Sequence, residues 1–204
     1  MKYDFASLAT TDYGNVLGRE HFIDISIKPL WQGMKRIFGP AYTVQLASGD
    51  NLMLHSAIYE APKGSVLVVD GFDNNYAVAG GNVCAVAKER GIQGFIIDGV
   101  IRDLDEIREL EFPVYAKGVF PVPGKKKNYS ELFKPILCGG VNVRTGDIVV
   151  ADSEGIAIIP IEKASEAYDT AKEKLDVEQK MSLLEWRKKH QSKIEQAIAA
   201  AKDS

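Results

Sequence analysis

Cysteine is scarce in this 204-residue chain: Cys84 and Cys138 stand far apart and form no CxxC pair. That argues against a zinc finger, a redox dithiol or a disulfide scaffold, and predicts two free thiols in a reducing compartment. Histidine is almost as rare. His21, His55 and His190 are scattered and form no ligand pair, so structural or surface places are expected for them. No apolar run approaches the roughly 20 residues that span a bilayer. The stretch Met1-Lys2-Tyr3-Asp4-Phe5 lacks the apolar core of a secretory signal. A cytoplasmic location and no membrane partner are expected. Charge of one sign is missing too, with 25 Lys and Arg against 28 Asp and Glu and a net charge of −3. Nothing in that balance favours nucleic acid as a partner. Nucleotide motifs are also absent. No GxGxxG follows a strand. The stretch from Gly118 to Lys125 is one residue too long for a P-loop, and Lys126 sits where Ser or Thr should meet magnesium. There is no internal repeat and no low-complexity linker.

What is present reads as alternating strands and helices. A helix start is expected at Thr10-Thr11-Asp12, a half-buried strand over residues 43–46, and a helix over residues 50–60. Ser65 to Asp70 is a short β-branched apolar run ending in Asp-Gly. Gly80-Gly81 opens a helix over residues 82–90, which closes at Gly91. Gly94 to Gly99 is a second buried strand, residues 103–110 a helix with an acidic first turn, and residues 113–116 a third strand. Strand–helix–strand–helix–strand at these lengths implies βαβ units and a parallel sheet. Residues 118–134 read as a loop, with Lys125-Lys126-Lys127 a solvated stretch that could attract an anionic substrate. Residues 147–152 and 155–160 predict a hairpin joined by Ser153-Glu154. The fold class is α/β: one compact domain over residues 1–160, and a C-terminal helical extension over 161–204, packed on that domain or on a neighbouring subunit.

Two loops at strand ends carry the chemistry, because ligands of open parallel sheets bind beyond the carboxyl ends of the strands. The first leads from Asp70 to the helix start at Gly80, Gly81, Asn82 and Val83. Free N–H groups at a helix start attract carboxylate or phosphate, and glycine lets the anion approach closely. An ordinary Gly-Gly turn is the competing reading. The second is Asp98-Gly99-Val100-Ile101-Arg102-Asp103, where an arginine and a carboxylate follow a buried strand. The plain interpretation is that Asp103 caps the next helix and Arg102 makes a surface ion pair. The functional one is that Asp103 gives an oxygen ligand to Mg2+ or Mn2+, while Arg102 stabilises charge developing on a substrate oxygen.

Gly81, twenty residues, then Arg102-Asp103 resembles the signature of the RraA-like family. That family contains class II pyruvate aldolases of the 4-hydroxy-4-methyl-2-oxoglutarate type and regulators of ribonuclease E activity. The likeness runs in order through Gly49-Asp50-Asn51-Leu52 with His55, residues 64–70, 91–94, 98–103 and 112–116. It continues through Cys138-Gly139-Gly140-Val141, Gly146 to Val149, and Asp152 to Gly155 with Pro160. The resemblance implies a swivelling β/β/α domain assembled as a homotrimer or a dimer of trimers. It implies that Asp103 binds the metal, that Arg102 meets the 2-oxo group, and that the amides of Gly80 to Val83 hold the substrate carboxylate. It also implies a C-terminal glutamate from a neighbouring subunit near the metal-bound waters. Spacing suggests Glu178, with Glu173 and Glu185 close by on the same glutamate-rich stretch. One departure stands out. The aldolases usually carry a carboxylate at the position of Gly81, which helps order metal-bound water, and here there is none.

The expected function is therefore divalent-metal-dependent carbon–carbon cleavage of a small 2-oxo acid through an enolate, releasing pyruvate or decarboxylating oxaloacetate. Two alternatives stay open: a non-enzymatic regulator binding ribonuclease E, and a lyase scaffold with a different small-acid substrate. A third family label, demethylmenaquinone methyltransferase, finds no glycine-rich loop suited to a methyl donor.

Overall fold

The computed structural model describes residues 3–202; the parts of the readings above that fall on residues 1–2 and 203–204 lie outside them. In chain order the main elements are helix α1 (Thr10–Gly14), strands β1 (Lys28–Pro29) and β2 (Ile37–Gln45), helix α2 (Leu52–Glu60), strand β3 (Val66–Asp70), helix α3 (Gly81–Glu89), strand β4 (Gly94–Ile101), helix α4 (Leu104–Glu109) and strand β5 (Val114–Val119). Then follow β6 (Ile136–Cys138), β7 (Val141–Val143), β8 (Ile148–Asp152), β9 (Gly155–Ile159), α5 (Ala164–Gln179) and α6 (Leu183–Lys202).

Seven strands form one sheet in the order β1-β5-β4-β3-β2-β8-β9, and β6 and β7 pair separately. Strands β2 to β5 are parallel, as the three helical crossovers demand. β2 belongs to both halves of the sheet. Its residues 37–40 pair antiparallel with β8, and residues 41–45 pair parallel with β3. Gly39 permits this, because a Cβ there would run into the carbonyl oxygen of Gly64.

The sheet curls so that its two faces see different cores. One face of β2 to β5 carries Val44, Leu67, Val69, Phe95 and Ile97 against α2, α3 and α4. The other carries Val66, Val68, Ile96 and Tyr115 towards residues of β8, β9 and the β6–β7 pair. A third cluster joins the outer face of β8 and β9 to α1 and α5. β2 begins earlier than the strand expected over residues 43–46, and its Ala41 to Val44 are all buried because both faces are covered there; beyond them the expected alternation holds, with Gln45 exposed between buried Val44 and Leu46. β4 is also longer than expected and reaches Ile101. Its register against β5 shifts between Ile97 and Val100, so Arg102 and Asp103 emerge directly from a strand end. The hairpin, the βαβ run and the buried free thiols of Cys84 and Cys138 are as the sequence predicts. Among the described residues no helix is long and apolar enough to cross a membrane.

Candidate active site

Gly80-Gly81 and Arg102-Asp103 are brought together by backbone. The segment before α3 runs beside β4, with Val78 N–H donating to Val100 O (3.0 Å) and Arg102 N–H to Ala79 O (3.0 Å). Asp103 then turns the chain into α4 with a left-handed backbone, φ +58°. It occupies the N-cap position but makes no side-chain cap to its own helix. Its Oδ2 instead accepts the Gly81 N–H at 3.2 Å, across to the start of α3. Arg102 Nε lies 3.3 Å from the same oxygen. Asp103 Oδ1 has no hydrogen-bond partner among the described residues, and about a third of the side chain stays exposed. The plain interpretation of Arg102-Asp103 is thus half right: the ion pair forms, the cap does not.

Two carboxylate side chains fill the space beside Gly80 and Gly81. A Cβ on Gly80 would collide with Asp103 Oδ2 and press on Arg102, and one on Gly81 would collide with Glu106 Oε2. The second clash identifies a residue that sequence reasoning missed. The space a carboxylate side chain at position 81 would fill is taken by the carboxylate of Glu106. The available signal was its spacing: Glu106 follows Asp103 by three residues, on the same side of a helix.

A narrow cleft of about 80 Å³ lies at this junction. Gly80, Asn82, Val83, Arg102 and Asp103 form one wall, and Asn51, His55 and Lys126 the other. The first N–H groups of α3 have no acceptor inside their own helix. Asp103 takes that of Gly81, leaving those of Asn82 and Val83 for a ligand.

The far wall is held by Asp50. This buried carboxylate accepts the N–H of Leu52 (2.8 Å), of Lys127 (2.7 Å) and of Asn128 (3.0 Å), and the Asn128 side-chain amide (3.2 Å). Burial pushes its pKa up, but these hydrogen bonds outweigh burial and hold it below the usual carboxylate value. Asn51 N–H also donates to Lys125 O at 2.8 Å. The loop is thereby pinned over α2 and Lys126 is set into the cleft wall. Burial, reinforced by the Lys126 charge, lowers the His55 pKa to about 4, so the imidazole is neutral at pH 7. His55, half-buried, lines the cleft, a place sequence reasoning did not assign it; His21 and His190 line none of it. Asn51 is buried and its Oδ1 lacks a partner, a polar group positioned for a ligand.

The donor set fits a hard divalent cation. Such ions take oxygen ligands and commonly keep several waters, needing only one or two carboxylates. Asp103 offers a free oxygen at the cleft, and the Glu106 carboxylate lies against Gly81 without lining the cleft itself. Among the described residues no group of three or more His, Cys, Asp or Glu side chains converges, so a closed cage of protein ligands is not the arrangement. Glu178 lies exposed on α5 and lines none of the cleft of its own chain.

The Aldolase/RraA family model, described as RraA-like, matches residues 7–158. A protein of Halalkalibacterium halodurans, provisionally named 4-hydroxy-4-methyl-2-oxoglutarate aldolase, is 39% identical over 171 residues, covering 83% of this chain and 81% of its own. The RNA-processing inhibitor RraA of Thermus thermophilis superposes with a TM-score of 0.69 at 28% identity, over 75% of this chain and 93% of the other. A Geobacillus kaustophilus structure described as an S-adenosylmethionine: 2-dimethylmenaquinone methyltransferase gives a TM-score of 0.69 at 31% identity, over 75% and 95%.

Proposed function

The chain belongs to the RraA-like family, and on that footing we propose that it is a divalent-metal-dependent lyase that breaks a carbon–carbon bond in a small 2-oxo acid. The observation that carries this reading is the meeting of Arg102, Asp103 and the open start of α3 at one cleft. Asp103 and Glu106 are the residues that would hold Mg2+ or Mn2+, which when bound supplies Lewis acidity at the 2-oxo group. The N–H groups of Asn82 and Val83 bind the substrate's C1 carboxylate, where the helix start favours negative charge. The Arg102 guanidinium donates to the 2-oxo oxygen. As the bond beyond C3 breaks, its electron pair moves onto that oxygen as an enolate, and Arg102 gains strength against the growing charge. Glu106 takes the place of the absent carboxylate at position 81 and holds the proton released from the substrate hydroxyl. Return of a proton to C3 gives pyruvate. Loss of carbon dioxide from oxaloacetate passes through the same enolate. Lys126 draws a second substrate carboxylate into the cleft, and Asn51 supplies a polar contact beside it.

A pyruvate-release assay over a panel of 2-oxo acids, oxaloacetate included, tests the proposal. Release should require Mg2+ or Mn2+, stop with a chelator, and fall by about 100-fold or more in Arg102→Ala. No metal-dependent release from any acid overturns it. The rival reading, a regulator that binds ribonuclease E, draws on the likeness to the Thermus inhibitor; capture of that nuclease by a chain without lyase activity would establish it. Methyl transfer is in the description of the Geobacillus structure, but the sequence offers no glycine-rich loop suited to a methyl donor.

A further inference from the structure

Strand β4 carries one residue more than its partner. Ile97 pairs with Ala116 and Val100 with Gly118, so Asp98 and Gly99 together face the single residue Lys117. This is a β-bulge, which bends a strand and re-aims the side chains beyond it. Here it marks a change of neighbour. Up to Asp98, β4 pairs with β3, whose last partner is Asp70. Gly71 N–H then donates to Asp98 O at 3.1 Å. Beyond the bulge the neighbour is the segment leading into α3: Ala77 bridges to Val100, Val78 N–H donates to Val100 O, and Arg102 N–H to Ala79 O. The crossing has no slack, because a Cβ on Gly71 would lie 2.7 Å from Asp98 O. The bulge thus decides where Arg102 and Asp103 stand against the start of α3.

Two side chains hold the bulge. Asp98 Oδ1 pairs with the ammonium of Lys117, the residue that faces the bulge across the sheet. Asp98 Oδ2 accepts the Gly139 N–H at 2.6 Å, from the turn between β6 and β7. The Asp98 side chain is 19% exposed and that of Lys117 33%. Neither lines the cleft that holds Arg102 and Asp103. They border a separate hollow of about 420 Å³, with Asp24 and Gly140 beside them. Removing one partner of a largely buried ion pair leaves the other charge uncompensated. Asp98 without Lys117 must turn towards water, and its backbone is the bulge itself.

We propose that Asp98 and Lys117 are a positioning pair: by clamping the bulge of β4 they fix Arg102 and Asp103 against the start of α3. They act through the backbone and not on a ligand. The expected effect on turnover rests on the lyase reading, whereas the expected effect on the backbone does not.

Two variants of the full chain decide it. Lys117→Met keeps the length of the side chain and removes its charge. Lys117→Arg keeps the charge, and the adjoining hollow has room for the larger head group. Amide hydrogen exchange is the first readout, because it reports opening segment by segment. Lys117→Met should speed exchange over residues 77–81 and 100–103 by about tenfold or more, while residues 148–152 of β8 keep the parent rate; Lys117→Arg should restore protection. Pyruvate release is the second. There kcat should fall by about tenfold or more in Lys117→Met at unchanged KM, and recover in Lys117→Arg. If Lys117→Met does not fold, Asp98→Asn with Lys117→Met leaves no uncompensated charge and takes its place with the same expected outcomes. Local loss of protection in a chain whose parent releases no pyruvate upholds the clamp and removes the lyase reading. Parent-like exchange around Arg102, faster exchange spread evenly over the chain, or parent kcat in an active Lys117→Met would each overturn the clamp.

Discussion

Two aspartates stand at the starts of two helices on opposite walls of one cleft, and they are used in opposite ways. Asp50, before α2, is 3% exposed and accepts four hydrogen bonds from α2 and the 125–128 loop. Asp103, before α4, is a third exposed, ignores its own helix and leaves one oxygen without a partner. A fully satisfied buried carboxylate is a structural tie. A part-exposed one on a left-handed backbone keeps an oxygen open to the cleft. The same residue type near a helix start thus serves the fold on one side and, on the function proposed above, the chemistry on the other.

Substitutions can break or sharpen that contrast. The largest effect is expected from Asp103→Ala: a fall in kcat/KM of about 1000-fold, near 4 kcal/mol, with the unfolding midpoint almost unmoved. Asp50→Ala should do the reverse, costing about 3 kcal/mol in urea unfolding because four donors lose a charged acceptor, while kcat stays within a few-fold. A stable Asp50→Ala protein without activity would erase the distinction. Glu106→Gln should lower kcat by about 100-fold without affecting stability, and a neutral result would leave position 81 uncompensated. His55 gives the smallest effect at neutral pH. Its folded pKa of about 4 lies below its unfolded value of 6.5, so the unfolded chain binds the proton first. Its contribution is complete above pH 6.5 and erodes as the pH falls towards 4. His55→Gln should flatten that part of a stability-versus-pH curve and leave the curve above pH 7 unchanged.

Much of the frame was legible because its signals are local. Val66 to Asp70, Gly94 onwards and the Ser153-Glu154 hairpin announce themselves by apolar runs and turn residues. The meeting of Gly81 with Arg102-Asp103 was legible from strand-end position together with a family spacing. What escaped depends on contacts between distant residues. Nothing near Asp50 reveals that it binds Lys127 and Asn128, 77 and 78 residues on, so the entry of Lys126 into the cleft could only be left as an option. The reach of Glu106 to Gly81 depends on how α3 and α4 pack side by side. The alternation expected over residues 43–46 holds at Val44, Gln45 and Leu46, whereas the burial of Thr43 and of the earlier part of β2 escaped because periodicity cannot show that a second core covers the other face.

The left-handed backbone of Asp103 has a consequence for how the activity can be lost. A non-glycine residue in that conformation gives up roughly 1 kcal/mol, less for Asn or Asp, and Gly gives up none. Replacing Asp103 by Gly would therefore relax the local backbone while removing the acid on which the proposed chemistry depends. Folding selection alone does not defend this site; left to it, the scaffold drifts downhill towards a sound but silent protein.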